Sequence, residues 1–405
     1  MVDAAARPAI IWATAPRKTA ENQGTGGSVK ITGVRTYKFW VDWCNWLLVR
    51  VDTDEGLHGW GEGSLHGSIE SVETAIHELS AYLVGKDPAG VERHWQGMYH
   101  AWRWRGGAVF MTALAALDLA LWDLEGKRLG VPIYRLLGGP YRERIRCYAS
   151  HWLSNAREPA EALEGAREAV RRGFSAFKFT PIRGDALREN EARAIRQGAE
   201  LLAAAREGAG PDVDIMIECA ERFSPRTALL AARAMLPARP YWFEEPIPFE
   251  NARVMAQLQR ELPVPIATGE RLLSRWEFRE LLEEGGCRII QPDLMHAAGL
   301  TECRRIAALA DTYCIGVAPH NSGGPIETLA AIHLAAAIPN SLILEQMEME
   351  QDARARVCTD PPKIENGHFL LPTKPGLGTD IRLDVVEALA FRPQPVSGNT
   401  ESLWR

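Results

Sequence analysis

The chain has no apolar run long enough to cross a bilayer, so a membrane-spanning protein is not expected. It has no C-x-x-C pair. Its seven cysteines (Cys44, Cys147, Cys219, Cys287, Cys303, Cys314 and Cys358) are scattered and odd in number. That pattern argues against a disulfide framework or a structural zinc site, and it predicts a reducing, cytoplasmic setting. Basic charge is not in excess either. The 405 residues carry 46 Lys and Arg against 52 Asp and Glu, a formal charge of −6, with no basic stripe. No nucleic-acid partner is therefore expected. The one Gly-rich stretch, "GWGEG" from Gly59 to Gly63, lacks the strand–loop–helix setting of a phosphate loop. Residues 1–28, rich in Ala, Thr and Gly, predict a mobile tail. A strand pairing elsewhere is the alternative. The apolar piece "AIIWATA" within it is short and no clean cleavage site follows, which argues against a secretory leader.

What is present suffices for two domains. From Lys30 to Gly63 the pattern alternates as strands do, with a turn at Asp54–Gly56. Helical patterns follow in "SIESVETAIHELSAYLVG" and "AVFMTALAALDLALWDLEGKRLG", the second closed by Gly130. Residues 29–140 thus read as an α+β domain. After "LLGGP" a unit repeats, a short apolar run followed by an amphipathic helix. The runs are "RIRCYAS", "FSAFKFT", "VDIMIEC", "PYWFEEP", "VPIATGE", "RIIQPDL", "CIGVAP" and "LILEQ". Eight such units over 141–358 predict an α/β fold, a parallel (β/α)8-type barrel. A doubly wound sheet is the alternative, but it usually shows fewer units and a Gly-rich first turn. Residues 359–405 are irregular and Pro-rich, and are expected to return to the first domain.

In such a barrel the chemistry sits where strands end. The third run ends at Glu218, the fourth at Glu244 and the fifth at Glu270, a spacing of 26 residues and then 26 again. Three carboxylates aimed at one spot repel one another unless a cation lies between them. All-oxygen ligation suits a hard divalent ion, most plausibly Mg²⁺. Glu245, by alternation, points away from Glu244 and is expected to support the site from behind. The sixth run leads to Asp293 and the seventh to His320. An aspartate orienting a histidine is a common general-base arrangement. The eighth brings Glu345 to the same rim. In "FKFT" the pair Lys178 and Thr180 both face inward, and an inward lysine is costly unless it is paired.

Lys178, Glu218, Glu244, Glu270, Asp293, His320 and Glu345, in this order on successive strands, resemble the enolase superfamily, mandelate racemase subgroup. So do "RGGAVFMTALAALDLALWDLEGK", "LLGG", "ERFSPRTA", "FEEPIP", "IATGERL", "QPDLMHAAGL", "VAPHN" and "LILEQ". Among its members the sequence looks most like the galactonate, gluconate and mannonate dehydratases. The resemblance implies a modified TIM barrel, with a capping domain built from the N-terminal part plus the C-terminal tail. It implies Mg²⁺ on Glu218, Glu244 and Glu270, and a small acid sugar as substrate. His320 would remove the proton α to the carboxylate, and Glu345 would hydrogen-bond the enediolate oxygen. Trp43, Asn45 and Trp46 lie in a segment similar to the capping domain's specificity loop, with Asn45 and Trp46 expected against substrate. A dimer or an octamer is implied.

The sequence departs from the pattern in three places. Glu218 stands where the family usually has an aspartate. Ala220 stands where the galactonate and mannonate dehydratases carry a histidine that helps the β-hydroxyl leave. Thr180 stands where racemases carry the second lysine of K-x-K. Loss of a base opposite His320 disfavours racemisation unless Lys178 substitutes. Dehydration needs only one residue if elimination is syn, His320 acting first as base and then as acid. The reading is therefore a Mg²⁺-dependent sugar-acid dehydratase that gives a 2-keto-3-deoxy acid. His151, at the end of the first barrel strand, is a candidate for the missing acid, with Glu221 a weaker one. Epimerisation or lactone cycloisomerisation through the same enediolate is the first alternative. A barrel that binds metal and acid sugar with little turnover is the second.

Overall fold

The computed structural model describes residues 29–394; the expected N-terminal tail and the last eleven positions, 395–405, lie outside them. The alternating segment forms an antiparallel sheet, β1 (Ile31–Val41), β2 (Cys44–Thr53) and β3 (His58–Glu62), in the order β1-β2-β3. Val41 pairs with Cys44, so the first hairpin turns on two residues, Asp42 and Trp43, and Asp42 takes a φ of 44°. Helices α1 (Ile69–Leu83), α2 (Val91–Tyr99) and α3 (Ala108–Leu129) cover the sheet. α3 is apolar around its whole circumference, as a helix enclosed on all sides must be. It lies directly on β3: a Cβ at Gly59 or Gly61 would collide with the backbone of Ala120 or Ala116. The glycines of "GWGEG" thus serve helix–sheet contact. α3 also ties this domain to the barrel. Asp118 accepts from the Thr301 backbone N–H at 3.0 Å, and Trp122 Nε1 donates to Thr301 Oγ1 at 2.8 Å.

After the short α4 (Ile133–Leu136) strands and helices alternate. The strands are β4 (Arg144–Ser150), β5 (Ala176–Phe179), β6 (Asp214–Glu218), β7 (Phe243–Glu244), β8 (Ile266–Thr268), β9 (Ile289–Ile290), β10 (Gly316–Val317) and β11 (Leu344–Met347). Between them run α5 (Pro159–Arg171), α6 (Gly184–Glu189), α7 (Glu191–Ala209), α8 (Pro225–Met235), α9 (Ala252–Glu261), α10 (Arg275–Glu284), α11 (Gly299–Thr312) and α12 (Pro325–Ala337). Neighbouring strands pair in parallel from β4 to β10, β11 returns to pair with β4, and the Val317–Ser341 bridge closes the ring. All eight expected runs therefore supply barrel strands. One side chain from each, Tyr148, Ala176, Met216, Trp242, Ala267, Ile289, Ala318 and Ile343, packs into a single cluster inside the barrel. The strand period of two then sets Ser150, Lys178, Glu218, Glu244, His320 and Glu345 one layer higher, at the mouth.

After α13 (Gln351–Val357) the chain forms a hairpin, β12 (Ile364–Glu365) and β13 (His368–Leu370), whose second strand pairs antiparallel with the start of β4. It then reaches the N-terminal sheet. Asp380 accepts from Trp60 Nε1 at 2.6 Å, α14 (Leu383–Ala388) packs near β1, and Ala390 O accepts from Trp40 N–H at 3.0 Å.

Candidate active site at the barrel mouth

Lys178 is the centre of the site. It is almost fully buried, and its ammonium meets Glu218 Oε2 at 3.1 Å, Glu345 Oε1 at 3.0 Å and Glu244 Oε1 closest of all. Burial alone would lower its pKa, but the surrounding carboxylates, Glu244 and Glu345 foremost, hold it well above the ordinary lysine value. It is thus a fixed cation. Glu244 is further held by Trp242 Nε1 at 3.0 Å. Glu345 accepts from Ser150 Oγ at 2.6 Å and from Asn321 N–H at 3.0 Å. Burial raises the Glu345 carboxyl, but Lys178, His320 and these donors bring it well below its ordinary range. As placed it is an ionised acceptor, so the donor role implied by the resemblance requires it to take up a proton.

His320 closes the other side. Its Nδ1 lies 2.7 Å from Asp293 Oδ2, and Asp293 Oδ1 accepts from the Met295 and His296 N–H groups, both at 2.8 Å. Three donors therefore fix the aspartate that orients the ring. Nε2 is left facing the mouth, 3.4 Å from Glu270 Oε2 and 3.9 Å from Glu345 Oε2. Burial lowers the His320 pKa, but Glu270, Glu345 and Asp293 raise it well above the ordinary histidine value.

The carboxylates Glu218, Glu244 and Glu270 come together, but not yet around a common point. Glu218 Oε1 folds back on the Ala220 N–H at 2.7 Å, a reach that its extra methylene permits, and Lys178 draws Glu218 Oε2 and Glu244 Oε1. Among the described residues no group of three His, Cys, Asp or Glu side chains is closed into a metal-ligand set. Their electrostatics nonetheless fit a hard cation. Burial and the charges of Glu218 and Glu345, opposed by His320, raise Glu270 to about 7. Burial and the charges of Glu218, Glu345 and Glu270, opposed by Lys178, push Glu244 well above its ordinary value. A divalent ion with oxygen ligands relieves that repulsion.

Two expected substrate contacts are not at the mouth. Asn45 is buried and saturated by the C-terminal segment: its Nδ2 donates to Arg392 O at 2.7 Å and its Oδ1 accepts from Arg392 N–H at 3.1 Å. Trp46 is a core residue, edge-on to Phe39. The tight hairpin leaves Trp43 instead at the tip, its Nε1 donating to Glu350 Oε1 at 3.1 Å and its ring 4.7 Å from that of His66. Thr180 stands half-buried just past β5. His151, with a left-handed φ of 55°, places Nδ1 3.1 Å from Ser150 Oγ, the hydroxyl that binds Glu345. Glu221 is engaged, accepting from Phe249 N–H at 3.0 Å with Arg271 3.6 Å away.

Three residues join the site that sequence reasoning did not single out. Arg271 bridges Glu245 and Glu270, the latter at 2.9 Å, and it could have been read from "TGER". His296 is half-buried beside Asp293, which accepts from its backbone N–H, and lies within "DLMHAAGL". His66 comes from the loop after β3, exposed at the rim with its ring 4.7 Å from that of Trp43. Nothing in the sequence marks it.

Residues 40–138 match the mandelate racemase / muconate lactonizing enzyme N-terminal domain, and residues 161–385, more than half of the chain, match the enolase C-terminal domain-like family. The chain belongs to this family. Its fold is that of the enolase superfamily, an N-terminal capping domain with a (β/α)8 barrel. The family's D-galactonate dehydratase of Cronobacter sakazakii is 37% identical over 383 residues, 93% of this chain and 98% of the relative. That of Verminephrobacter eiseniae is 39% identical over 359 residues, 87% and 92% of the two chains. Among solved structures, an enolase from Agrobacterium radiobacter with bound Na and L-malate is 33% identical, with a TM-score of 0.83 over 89% of this chain and 95% of that one. A member of the enolase superfamily from Salmonella Typhimurium is 31% identical, with a TM-score of 0.84 over 89% and 98%.

Proposed function

We propose that this hydro-lyase of the enolase superfamily is a Mg²⁺-dependent dehydratase of an aldonic or related sugar acid, yielding a 2-keto-3-deoxy acid. The observation that carries the reading is the pairing, across one barrel mouth, of an Asp293-held His320 with a buried carboxylate cluster in need of a cation. Glu218, Glu244 and Glu270 would hold Mg²⁺, a Lewis acid that fixes the substrate carboxylate and offsets the negative charge developing on it.

The remaining chemistry belongs to the chain. Once it has given up the proton that Glu270, Glu345 and Asp293 favour on it, His320 Nε2 takes the proton α to the carboxylate, while Asp293 keeps Nδ1 and the ring in place. The fixed Lys178 ammonium stabilises the enediolate, and Glu345 contributes a hydrogen bond to it once protonated. With alanine at 220, the protonated His320 returns its proton to the departing β-hydroxyl on the same face. His151, at the rim beside Ser150, is the second candidate for that proton. An ammonium held by three carboxylates does not serve as a base, which disfavours a two-base racemase. The dehydratases among the relatives support water loss over epimerisation or cycloisomerisation. A cytoplasmic location accords with seven unpaired cysteines. Among the described residues no helix is long and apolar enough to cross a membrane.

The test is a screen of the Mg²⁺-loaded protein against a library of acid sugars for 2-keto acid formation. Turnover of one or more aldonates is expected. Saturable binding without turnover across the panel would overturn the enzymatic reading.

A further inference from the structure

Asp293 is completely buried, and the direction in which its Oδ2 meets His320 Nδ1 depends on what holds Oδ1. Two consecutive backbone N–H groups do so, those of Met295 and His296, as an aspartate capping its own turn does. They belong to the stretch between β9 and α11, outside regular secondary structure. No ladder or helix fixes such a stretch, so its place depends on its individual contacts. Within it, Ala297 N–H donates to Asp293 O at 2.8 Å and shapes the turn. The capping domain then places it. Met295 Sδ accepts from the Ser64 backbone N–H at 3.0 Å. His296 Nδ1 is hydrogen-bonded to Thr112 Oγ1 of α3 at 3.0 Å. Just downstream, Ala298 O accepts from Trp95 Nε1 of α2 at 2.9 Å, and Asp118 of α3 accepts from Thr301 Oγ1 at 2.6 Å. Thr112 and Asp118 are fully buried polar residues of the apolar helix α3, and both bond residues of the segment 293–301. A buried hydroxyl needs a partner, and the partner of Thr112 is the residue whose N–H holds Asp293.

We propose that Thr112 and His296 are positioning residues for the proton transfer: Thr112 fixes the His296 ring, so that the backbone beside it keeps Asp293 aimed at His320 Nδ1. The inference rests on the reading of His320 as the base. Met295, seated on Ser64, is the second anchor of the same pair of N–H groups. The base is thus set from both domains. The barrel brings His320 in the loop after β10, and the capping domain places the turn that orients its partner. A small displacement of the two N–H groups swings the carboxylate and turns the imidazole, and Nε2 then meets the α-proton at the wrong angle. Such a misplacement costs rate rather than substrate affinity. A contact that served stability alone would leave the His320–Asp293 hydrogen bond as it is.

Proton NMR of the full-length protein reads the Nδ1–H that His320 shares with Asp293 as a strongly downfield resonance, identified by its loss in His320→Asn. Thr112→Val keeps the shape of the side chain and removes the hydroxyl. In it the resonance should move upfield or broaden, and α-proton exchange of an accepted acid sugar in D₂O should slow about 10–100-fold with KM unchanged. Thr112→Ser restores the hydroxyl and should recover both. Met295→Leu removes the sulfur acceptor at the second anchor and should change resonance and exchange in the same direction, so the test does not hang on one variant. Asn45→Ala, which loses capping-domain hydrogen bonds that do not reach this turn, should change neither. Wild-type resonance and exchange in folded Thr112→Val or Met295→Leu would overturn the inference, as would equal slowing in Thr112→Ser or Asn45→Ala. Undiminished exchange in His320→Asn would remove the base reading, yet the resonance would still report whether Thr112 holds the Asp293–His320 contact, so the two failures are distinguishable.

Discussion

Replacing Lys178 by methionine keeps the length and apolar stem of the side chain and removes only its charge. In the structure that charge is almost wholly buried and meets three carboxylates, those of Glu218, Glu244 and Glu345. Removing one partner of a buried ionic group leaves the others uncompensated, at a cost of about 3–5 kcal/mol. Two glutamates can recover part of that by protonation, so the lower end of the range is expected near neutral pH. For a chain of 405 residues the loss corresponds to a drop in Tm on the order of 3–4 °C. The assay is thermal unfolding of wild type and Lys178→Met, each in EDTA and in excess Mg²⁺. The variant should melt well below wild type in EDTA, and Mg²⁺ should raise its Tm by more than it raises that of the wild type, because the ion then supplies the only compensating charge. Equal melting in EDTA would refute the reasoning, since Lys178 would not be neutralising the cluster.

Three further outcomes follow from particular contacts. Asn45→Ala loses both hydrogen bonds to the Arg392 backbone and should destabilise the protein by about 1–3 kcal/mol in urea unfolding, with KM unchanged; a raised KM would return Asn45 to the substrate pocket. Ala220 takes a left-handed φ of 44°, a region that histidine enters more readily than most residues, so Ala220→His should fold and raise the rate of water loss from galactonate- or mannonate-type acids; unchanged kcat would mean the pocket is built for another stereochemistry. Burial raises the Asp118 carboxyl to about 7, against the hydrogen bonds from Thr301. Because the folded form holds this proton to higher pH than the unfolded chain, Asp118 should cost the protein stability progressively between about pH 4 and 7. Unfolding of wild type and Asp118→Asn across that window should show the wild type losing ground to the variant as pH rises, and parallel curves would contradict the assignment.

The barrel was legible because its signal is local and repeated. Each strand is a short apolar run, and the spacing from Glu218 to Glu244 to Glu270 marks the same phase of three units. The period of two turned Lys178 inward, and strand order brought Glu345 to the same rim. The failures are all contacts with distant partners. Asn45 was expected against substrate because the backbone that binds it, at Arg392, lies at the far end of the chain. Trp46, the residue after Asn45, pairs with Phe39 in the core, and a hairpin tip of only two residues left Trp43 at the edge. Glu345 was legible in place but not in charge, which Lys178 and Ser150 determine.

The most direct test of the central claim is deuterium exchange at the α-carbon of an accepted acid sugar in D₂O, compared between wild type and His320→Asn. The account predicts loss of exchange by about 10²–10⁴-fold in the variant, with Mg²⁺ still bound, because Nε2 is the atom that takes the proton. Undiminished exchange in His320→Asn would contradict it and move the base elsewhere in the mouth.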